Sequence, residues 1–172
     1  MARELIITMT AANRMGILAA VTRAMSDLGA DLYEASQTVV RGYFTMIFSA
    51  QFPDTLSKDV VSQHLADAGR PFDIDVNVKN GPEVDVVGGN QTQAVHAIRL
   101  GGENRPGLLR NLSTTMAKQE VDILGMRAVQ TLDGGFEMHM KVSVDSEGGI
   151  ERLLAEANKL GQSDGFSADL SD

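Results

Sequence analysis

Apolar and polar positions in the first eighty residues alternate between strand-like and helix-like periods. The short apolar run Leu5–Met9 predicts a buried strand. Residues 31–40 and 43–52 predict two further strands, joined by a turn at Arg41–Gly42. Between the first two strands, apolar residues recur every three or four positions and predict a helix that stops at Gly29; these residues are Ile17, Leu18, Val21, Met25 and Leu28.

A second helical stripe and a last strand complete this half of the chain. The helix is predicted to end at Gly69, and its apolar residues are Leu56, Val60, Val61, Leu65 and Ala68. Apolar and polar residues then alternate strictly from Phe72 to Lys79, which predicts a half-buried strand. The element order is βαββαβ, that of the split βαβ or ferredoxin-like unit.

The second half repeats this order. Strands are predicted at Val95–Leu100 and Phe166–Leu170, and a hairpin turn at Asp133–Gly135. Leu108, Leu109, Leu112 and Met116 mark one helix; Ile150, Leu153, Leu154, Ala157 and Leu160 mark another that ends before Gly161. Residues 81–93 lack periodicity and are predicted to be a linker between a first domain, 1–80, and a second, 94–172.

A repeated sequence signal supports this division. Asn13–Leu18 (NRMGIL) and Asn104–Leu109 (NRPGLL) lie 91 positions apart, 104 minus 13. Gly29–Leu32 matches Glu120–Ile123 at the same offset. Solenoid repeats are typically about 20–50 residues long, so a repeat of this length indicates a duplicated domain. The predicted fold class is therefore α+β: two ferredoxin-like domains in tandem, each an antiparallel sheet with its helices on one face.

Composition narrows the function classes. The 172 residues carry a net charge of −8 and no cysteine, and no apolar run reaches the roughly 18 residues of a membrane helix. We therefore expect a cytoplasmic protein without membrane contact. The acidic balance disfavours direct nucleic-acid binding, although Arg41–Phe48 partly matches an RNA-recognition signature; the first strand lacks the stacking aromatic that such binding needs.

Signals of catalysis are missing from the sequence. There is no nucleophile elbow, phosphate-binding loop or dinucleotide fingerprint. The three histidines, His64, His96 and His139, do not have metal-ligand spacing. We expect no catalytic residue, no metal site and no cofactor, and hence a protein that is not an enzyme.

The repeated motif carries a family resemblance. A strand leading into Asn-Arg-Pro-Gly-Leu-Leu, then a helix, then Val-Asp-Ile opening the next strand is similar to the ACT domain. Both copies, residues 4–79 and 94–170, resemble it over nearly their whole length. The arrangement without a catalytic domain resembles the glycine cleavage system transcriptional repressor family. The resemblance implies a βαββαβ module that binds an amino acid and regulates other proteins.

Several positions depart from the pattern of the most similar ACT domains, those of phosphoglycerate dehydrogenase. Met15 replaces the usual proline, which would pre-set φ for the first helical turn. Ala11 and Gly102 stand where that pattern has a histidine, and Asp31 and Asp122 stand where it has a second asparagine. Recognition of serine in that particular manner is therefore not implied, while binding of some amino acid is.

The chemistry of an α-amino acid explains which residues are candidates. Free N–H groups at a helix N-terminus and the helix dipole favour its carboxylate, and glycine allows close approach to the backbone. An aspartate can accept from its ammonium. The candidate ligand-binding residues are Asn13, Met15, Gly16, Ile17 and Asp31 in the first copy, and Asn104, Pro106, Gly107, Leu108 and Asp122 in the second.

Structural interpretations of the same residues stay open. An asparagine ahead of a helix is a favoured N-cap, and a glycine at a tight turn can serve backbone geometry alone. Asp31 and Asp122 follow helix ends, where aspartate often turns the chain. Arg14 and Arg105 are expected to be solvated rather than to clamp a carboxylate.

The functional expectation is a regulator that binds a small amino acid between ACT-like domains and signals to a protein partner, with a homo-oligomer expected. The rival is a constitutive interaction module with degenerate pockets. The first two strands of such a unit run parallel, so the helix-start turn and the start of the second strand lie at opposite ends. The second strand is an edge, available for pairing. If two units pair there, Asn13 and Gly16 work with Asp122, and Asn104 and Gly107 with Asp31.

Overall fold

The computed structural model describes residues 2–81, 93–145 and 147–171, which divide between two compact units, Met1–Val86 and Val87–Asp172. The first unit has six main elements in βαββαβ order. They are β1 (Ala2–Ala12), α1 (Ile17–Asp27), β2 (Asp31–Val40), β3 (Tyr43–Pro53), α2 (Lys58–Gly69) and β4 (Asp75–Asn80).

The first sheet has the strand order β2-β3-β1-β4, and each neighbouring pair is antiparallel. β1 and β3 are central, while β2 and β4 are edges. Both β1 and β2 pair antiparallel with β3, so they run in the same direction. This is the ferredoxin-like order that the sequence predicts.

Alternation along the central strands decides where the core lies. On β1, Leu5, Ile7 and Met9 are buried, and on β3 so are Phe48 and Phe52. These side chains share one face of the sheet because strand residues two apart point the same way. Helices α1 and α2 bury their stripes, including Val21 and Leu65, in the same cluster. Complete burial of each large apolar side chain contributes about 1.5–3 kcal/mol.

The second unit repeats the architecture. Its elements are β5 (Gln93–Glu103), α3 (Leu108–Lys118), β6 (Asp122–Gln130), β7 (Gly135–Asp145), α4 (Gly149–Asp164) and β8 (Phe166–Leu170). The sheet order is β6-β7-β5-β8, and each neighbouring pair is antiparallel. Its core includes Ile98, Leu100, Leu112, Met116 and Leu153. The prediction of two tandem ferredoxin-like domains is confirmed.

Two predicted boundaries are wrong. Alternation from Phe72 predicts a strand, but Arg70–Phe72 is a short 3-10 helix and β4 begins only at Asp75. Asp73 adopts φ 55°, a left-handed conformation that interrupts the extended chain. Helix α4 runs through Gly161 to Asp164 instead of stopping at that glycine. A Cβ at position 161 would lie 2.1 Å from the Phe166 carbonyl oxygen, so glycine is needed there for close packing.

The edge strands β2 and β6 are exposed along their whole length. Each has a register shift at the same place in the repeat, between Leu32 and Glu34 in β2 and between Ile123 and Gly125 in β6. Large apolar side chains are exposed on both strands, including Leu32, Tyr33, Ile123, Leu124 and Met126. A row of unpaired backbone groups with exposed apolar side chains is a natural pairing surface.

The predicted linker, residues 81–93, lies from 82 to 92 outside the described residues. Its boundaries therefore stay a prediction. Among the described residues, no helix is long and apolar enough to span a membrane.

Candidate functional site

The turn between the first strand and first helix of the second unit is a β-turn. The Leu108 N–H donates to the Arg105 carbonyl oxygen at 3.2 Å, and Gly107 has φ 85° and ψ −5°. Pro106 thus holds the second and Gly107 the third position of a type II turn, which favours proline followed by glycine. Gly16 has nearly the same conformation, φ 96° and ψ −10°. The expectation that Met15 and Pro106 occupy the first helical position is wrong, because they precede the glycine that caps the helix.

Neither asparagine caps its helix. Gly16 and Gly107 are the N-cap residues, and no side chain among the described residues caps the start of α1 or α3. The capping interpretation of Asn13 and Asn104 is therefore wrong, and both side chains are exposed. At α3, the N–H groups of the first turn lack a side-chain acceptor and can meet an anion.

Two candidate residues contribute through their backbone alone. The side chains of Ile17 and Leu108 are buried in the cores of their units. Only their main-chain N–H groups, at the first position of each helix, lie at the turn. Met15, by contrast, is fully exposed.

An open cleft of about 570 Å³ lies beside this turn in the second unit. Its walls come from the end of β5, the turn, the β6–β7 hairpin and the residue after α4. The lining residues are Arg99, Gly101, Gly102, Glu103, Asn104, Arg105, Thr131, Asp133, Gly134, Gly135, Phe136, Glu137 and Gly165. Glycine is frequent in this set, so much of the wall is backbone, with an exposed amide at Asn104.

Arg105 is anchored, contrary to the expectation that it is simply solvated. Its Nε and Nη2 atoms donate to Glu103 Oε2 at 2.8 and 2.6 Å, and Nη1 donates to the Ser163 carbonyl oxygen at 3.0 Å. These bonds hold the guanidinium at the rim of the cleft and neutralise Glu103. Arg105 therefore shapes the cleft more than it attracts a free carboxylate.

Two carboxylates in the cleft have lowered pKa values. The Thr131 hydroxyl and then the Gly135 N–H, 3.3 Å away, donate to Asp133 and lower the pKa of its carboxyl. His139 Nε2 lies 2.8 Å from Glu137 Oε1, and this hydrogen bond, followed by the charge of Arg99, lowers the pKa of Glu137. Both carboxylates are thus ionised at neutral pH and can attract a cationic group.

Asp31 and Asp122 lie at the far end of their sheets from the turns. Asp31 pairs with Gln51 on β3, whereas the strand leading to Asn13 ends beside Tyr43. The eight residue-to-residue steps from 43 to 51 span roughly 26 Å at about 3.3 Å per step. Asp122 pairs with Ser143, while Gly102, close to Asn104, pairs with Phe136. One unit therefore does not bring its own aspartate to its own turn, as the element order predicts.

The hairpin residues of the cleft have no counterpart among the sequence candidates. Thr131, Asp133 and Glu137 join Asn104 only through the register of β7 with β5. The usable sequence signal was one residue inserted into the repeat here, since Phe44 and Met46 match Phe136 and Met138 at an offset of 92 rather than 91. The hairpin connects its strands through Thr131–Gly134, where the first copy uses Arg41–Gly42 alone.

The corresponding region of the first unit is more closed. Arg41 and Gly42 have φ 49° and 83°, which are typical of a tight two-residue turn. The Asn13 N–H donates to the Gly42 carbonyl oxygen at 2.8 Å, so the hairpin tip is tied to the helix-start turn. The Phe72 ring lies over Gly16: a Cβ at Gly16 would be 3.5 Å from Phe72 Cζ.

Comparisons with protein families agree with this geometry. One model of the ACT domain matches residues 3–79, and a second model of the ACT domain matches residues 91–162. A UPF0237 protein of Corynebacterium diphtheriae is 33% identical over 76 residues, which are 44% of this chain and 85% of that protein. A UPF0237 protein of Methanosarcina acetivorans is 34% identical over 76 residues, 44% of this chain and 83% of that protein.

Two solved structures are similar over the whole chain. A protein of Galdieria sulphuraria, described as unknown, has a TM-score of 0.81 at 13% identity, covering 99% of this chain and 98% of its own. A candidate glycine cleavage system transcriptional repressor has a TM-score of 0.72 at 18% identity, covering 100% of this chain and 99% of its own. At such identities the likeness shows the fold alone.

Proposed function

The chain belongs to the ACT-domain family, of which it carries two copies in tandem, and on that premise we propose that it is a non-enzymatic, amino-acid-responsive regulator. It binds a small amino acid and passes the signal to a protein partner. The observation that carries the proposal is the open cleft lined by Asn104 and Arg105, which lead into the uncapped start of α3.

The turn supplies what the carboxylate of an amino acid needs. The first N–H groups of α3 and the positive end of the helix dipole favour an anion. Asn104 adds an exposed amide that can donate or accept. The carboxylate sits at the turn Asn104–Leu108, with Pro106 and Gly107 holding the backbone in the conformation that exposes these groups.

The ammonium group is bound by an aspartate from a second ACT unit. Asp122 is too far along its own sheet to reach the turn of its own unit, while the exposed edge strands β2 and β6 present pairing surfaces. Pairing of two such edges places Asp31 against the turn of Asn104, and Asp122 against the turn of Asn13. The same edges support a homo-oligomer.

Signalling follows from differential affinity. A ligand shifts a partner's activity only if it binds one of two states more tightly. The fold it shares with a candidate glycine cleavage system transcriptional repressor supports a transcription regulator of amino-acid metabolism, glycine metabolism in particular, as the partner. The net charge of −8 supports control through that protein rather than through direct DNA contact.

The alternative is a constitutive interaction module whose pockets have degenerated. Ala11 and Gly102 in place of the histidine, Met15 in place of the proline, and the ring of Phe72 over Gly16 favour it. In that case the exposed edge strands pair with a partner regardless of amino-acid concentration.

A melting-temperature screen against the twenty amino acids separates these functions. An amino acid present at about 100 times its dissociation constant adds roughly 2.7 kcal/mol to stability, which is a shift of several degrees for units of this size. Asn104→Ala should reduce the shift without changing the melting temperature of the free protein, since its side chain is exposed. A screen in which no amino acid raises the melting temperature would support the constitutive module.

Double-mutant cycles test the source of the aspartate. Residues that share a ligand couple, whereas distant residues give additive effects. Asn104→Ala should couple with Asp31→Ala in amino-acid affinity and should be additive with Asp122→Ala. Coupling between Asn104 and Asp122 instead would show that one unit builds the whole site.

A further inference from the structure

The two helix-start turns share a backbone conformation but differ in what faces their glycines. A Cβ at Gly107 would have one described atom within 4 Å, Nη2 of Arg110 at 3.7 Å, which is the end of a flexible side chain. A Cβ at Gly16 would instead contact the ring of Phe72, with Cζ at 3.5 Å and Cε1 at 3.9 Å. The Cα face that a ligand can approach is therefore bordered by a flexible side-chain end in one copy and by an aromatic ring in the other.

The ring of Phe72 is positioned by core packing and by the backbone that follows it. Phe72 packs against the core of the first unit at the end of the 3-10 helix Arg70–Phe72. The Asp73 N–H donates to the Arg70 carbonyl oxygen at 3.2 Å, and Ile74 N–H to the Gly69 oxygen at 3.4 Å. These bonds fix the backbone that carries the half-buried ring, and the ring packs against the core, so it borders Gly16 as part of the folded unit.

The second copy has a different residue in this position. Asp73 and Gly165 are both left-handed and follow the second helix of their units, so Phe72 and Asp164 are equivalent. Asp164 accepts a hydrogen bond from Asn111 Nδ2 at 3.0 Å, which holds its carboxylate against α3. In that unit no aromatic ring corresponds to Phe72, and the group nearest a Cβ at Gly107 is the end of the Arg110 side chain.

The hairpins reinforce the difference. In the first unit the Asn13 N–H is occupied by the Gly42 carbonyl oxygen at 2.8 Å, and the two-residue turn sits directly against the helix start. In the second unit the longer hairpin at Thr131–Gly134 and the turn at Asn104 are opposite walls of the cleft. Gly16 is still exposed to solvent on one side. The ring of Phe72 therefore blocks only its Cα face, and the Gly42 carbonyl oxygen occupies the adjoining Asn13 N–H.

We propose that the two copies have diverged into one open and one closed site, with Phe72 as the residue that excludes a ligand from the first. This inference rests on the proposed amino-acid binding and adds its stoichiometry: one amino acid per chain, seated at the turn Asn104–Leu108. Phe72 is thus a specificity-determining residue of the repeat, and the first unit keeps the ACT fold for pairing alone.

Calorimetric titration with each of the twenty amino acids tests this stoichiometry on the full chain. The wild-type protein should bind one molecule per chain, with affinity weakened in Asn104→Ala and unchanged in Asn13→Ala. Phe72→Ala should bind two, and the added Asn13→Ala substitution should return it to one. Leu56→Ala is the matched control, because Leu56 packs on the same core without lying within 4 Å of the Gly16 face, and it should stay at one.

Two molecules per wild-type chain, or binding that depends on Asn13, would overturn the closure while leaving the regulatory function intact. A folded Phe72→Ala protein that still binds one molecule would also overturn it. If no amino acid binds the wild-type protein, the proposed function fails, and the closure is decided by a simpler probe.

Acetate, a bare carboxylate, supplies that probe through backbone amide chemical shifts. In the wild-type protein it should shift the amides of Leu109 and Arg110 and leave those of Leu18 and Ala19 unchanged. In Phe72→Ala all four should shift. Equal shifts at both turns of the wild-type protein, or none at Leu18 and Ala19 in the variant, would refute the role of Phe72.

Discussion

The side-chain amide of Asn158 binds both backbone groups of Ala168. Its Nδ2 donates to the Ala168 carbonyl oxygen at 2.8 Å, and its Oδ1 accepts from the Ala168 N–H at 2.8 Å. Ala168 lies in the middle of the five-residue edge strand β8, which pairs only with β5 in its sheet among the described strands. Helix α4 therefore supplies, through one residue, the partners that a further strand would give to β8.

We predict that Asn158→Ala weakens the attachment of β8. The change removes two partly buried hydrogen bonds and leaves both backbone groups without their protein partner, which typically destabilises by about 1–3 kcal/mol. Hydrogen exchange at Ala168 should accelerate by a factor corresponding to that free energy, while exchange in β1 stays unchanged. Ser163→Ala, which removes an exposed bond within the same helix, is the control and should leave β8 exchange as in the wild-type protein.

Neighbouring glycines in β5 should respond with opposite signs. A Cβ at Gly102 would lie 2.2 Å from the Gly165 carbonyl oxygen and 2.5 Å from Phe166 Cα, so backbone would have to move. We expect Gly102→Ala to destabilise by about 3 kcal/mol, the upper range for overpacking. At Gly101 the nearest atom is 3.7 Å away, and Gly101→Ala should be neutral or stabilise by up to about 1 kcal/mol because the unfolded chain loses freedom.

Urea unfolding followed by far-ultraviolet circular dichroism compares these two variants. Equal midpoints for Gly102→Ala and the wild-type protein would show that the close approach to Gly165 is not rigid. The same close approach explains why the histidine of the related ACT pattern has no place at position 102.

Installing proline at position 15 should stabilise the first unit. Gly16 has the dihedral angles of the third position in a type II turn, so position 15 is the one that proline favours. The side chain of Met15 is fully exposed and no packing is lost. Met15→Pro should add about 0.4–1 kcal/mol by restricting the unfolded chain, and Pro106→Met should subtract a similar amount. Melting temperatures of both variants check this, and a lower value for Met15→Pro would contradict it.

The decrease of the free energy of unfolding at acidic pH should depend on Glu137. The hydrogen bond from His139 and the charge of Arg99 lower the pKa of Glu137 below its ordinary value of 4.5 in the folded state. Because the folded pKa is lowered, the ionised Glu137 stabilises the folded protein above about pH 4.5. This stabilisation is lost as the pH falls through the pKa of Glu137 in the folded state. Glu137→Gln should therefore be less stable than the wild-type protein at pH 7, and the difference should vanish as the pH falls through the lowered folded pKa of Glu137.

Denaturant midpoints at several pH values measure this linkage, with Glu147→Gln as a control for removing one exposed negative charge. A difference between Glu137→Gln and the wild-type protein that persists unchanged at low pH would assign the effect to packing rather than to ionisation.

Local periodicity was sufficient for much of this fold. The bounds 31–40 for β2 and 166–170 for β8 follow from alternation and turn residues, because those signals lie within a few positions of the element they define. The repeat of Asn13–Leu18 at Asn104–Leu109 likewise identified two domains of one kind, and the ferredoxin-like order placed each aspartate at the far end from its turn.

Contacts between distant positions decided the rest. Phe72 continues an alternating pattern, yet Asp73 turns the chain and places the ring over Gly16, 56 residues earlier by subtraction. Asn104 and Asp133 line one cleft only because β7 pairs with β5 in one register. Sequence periodicity reports which face of an element is apolar, whereas the atoms that meet across elements depend on strand register and packing. The sequence therefore determined two similar units, and the tertiary structure decided that their helix-start turns differ.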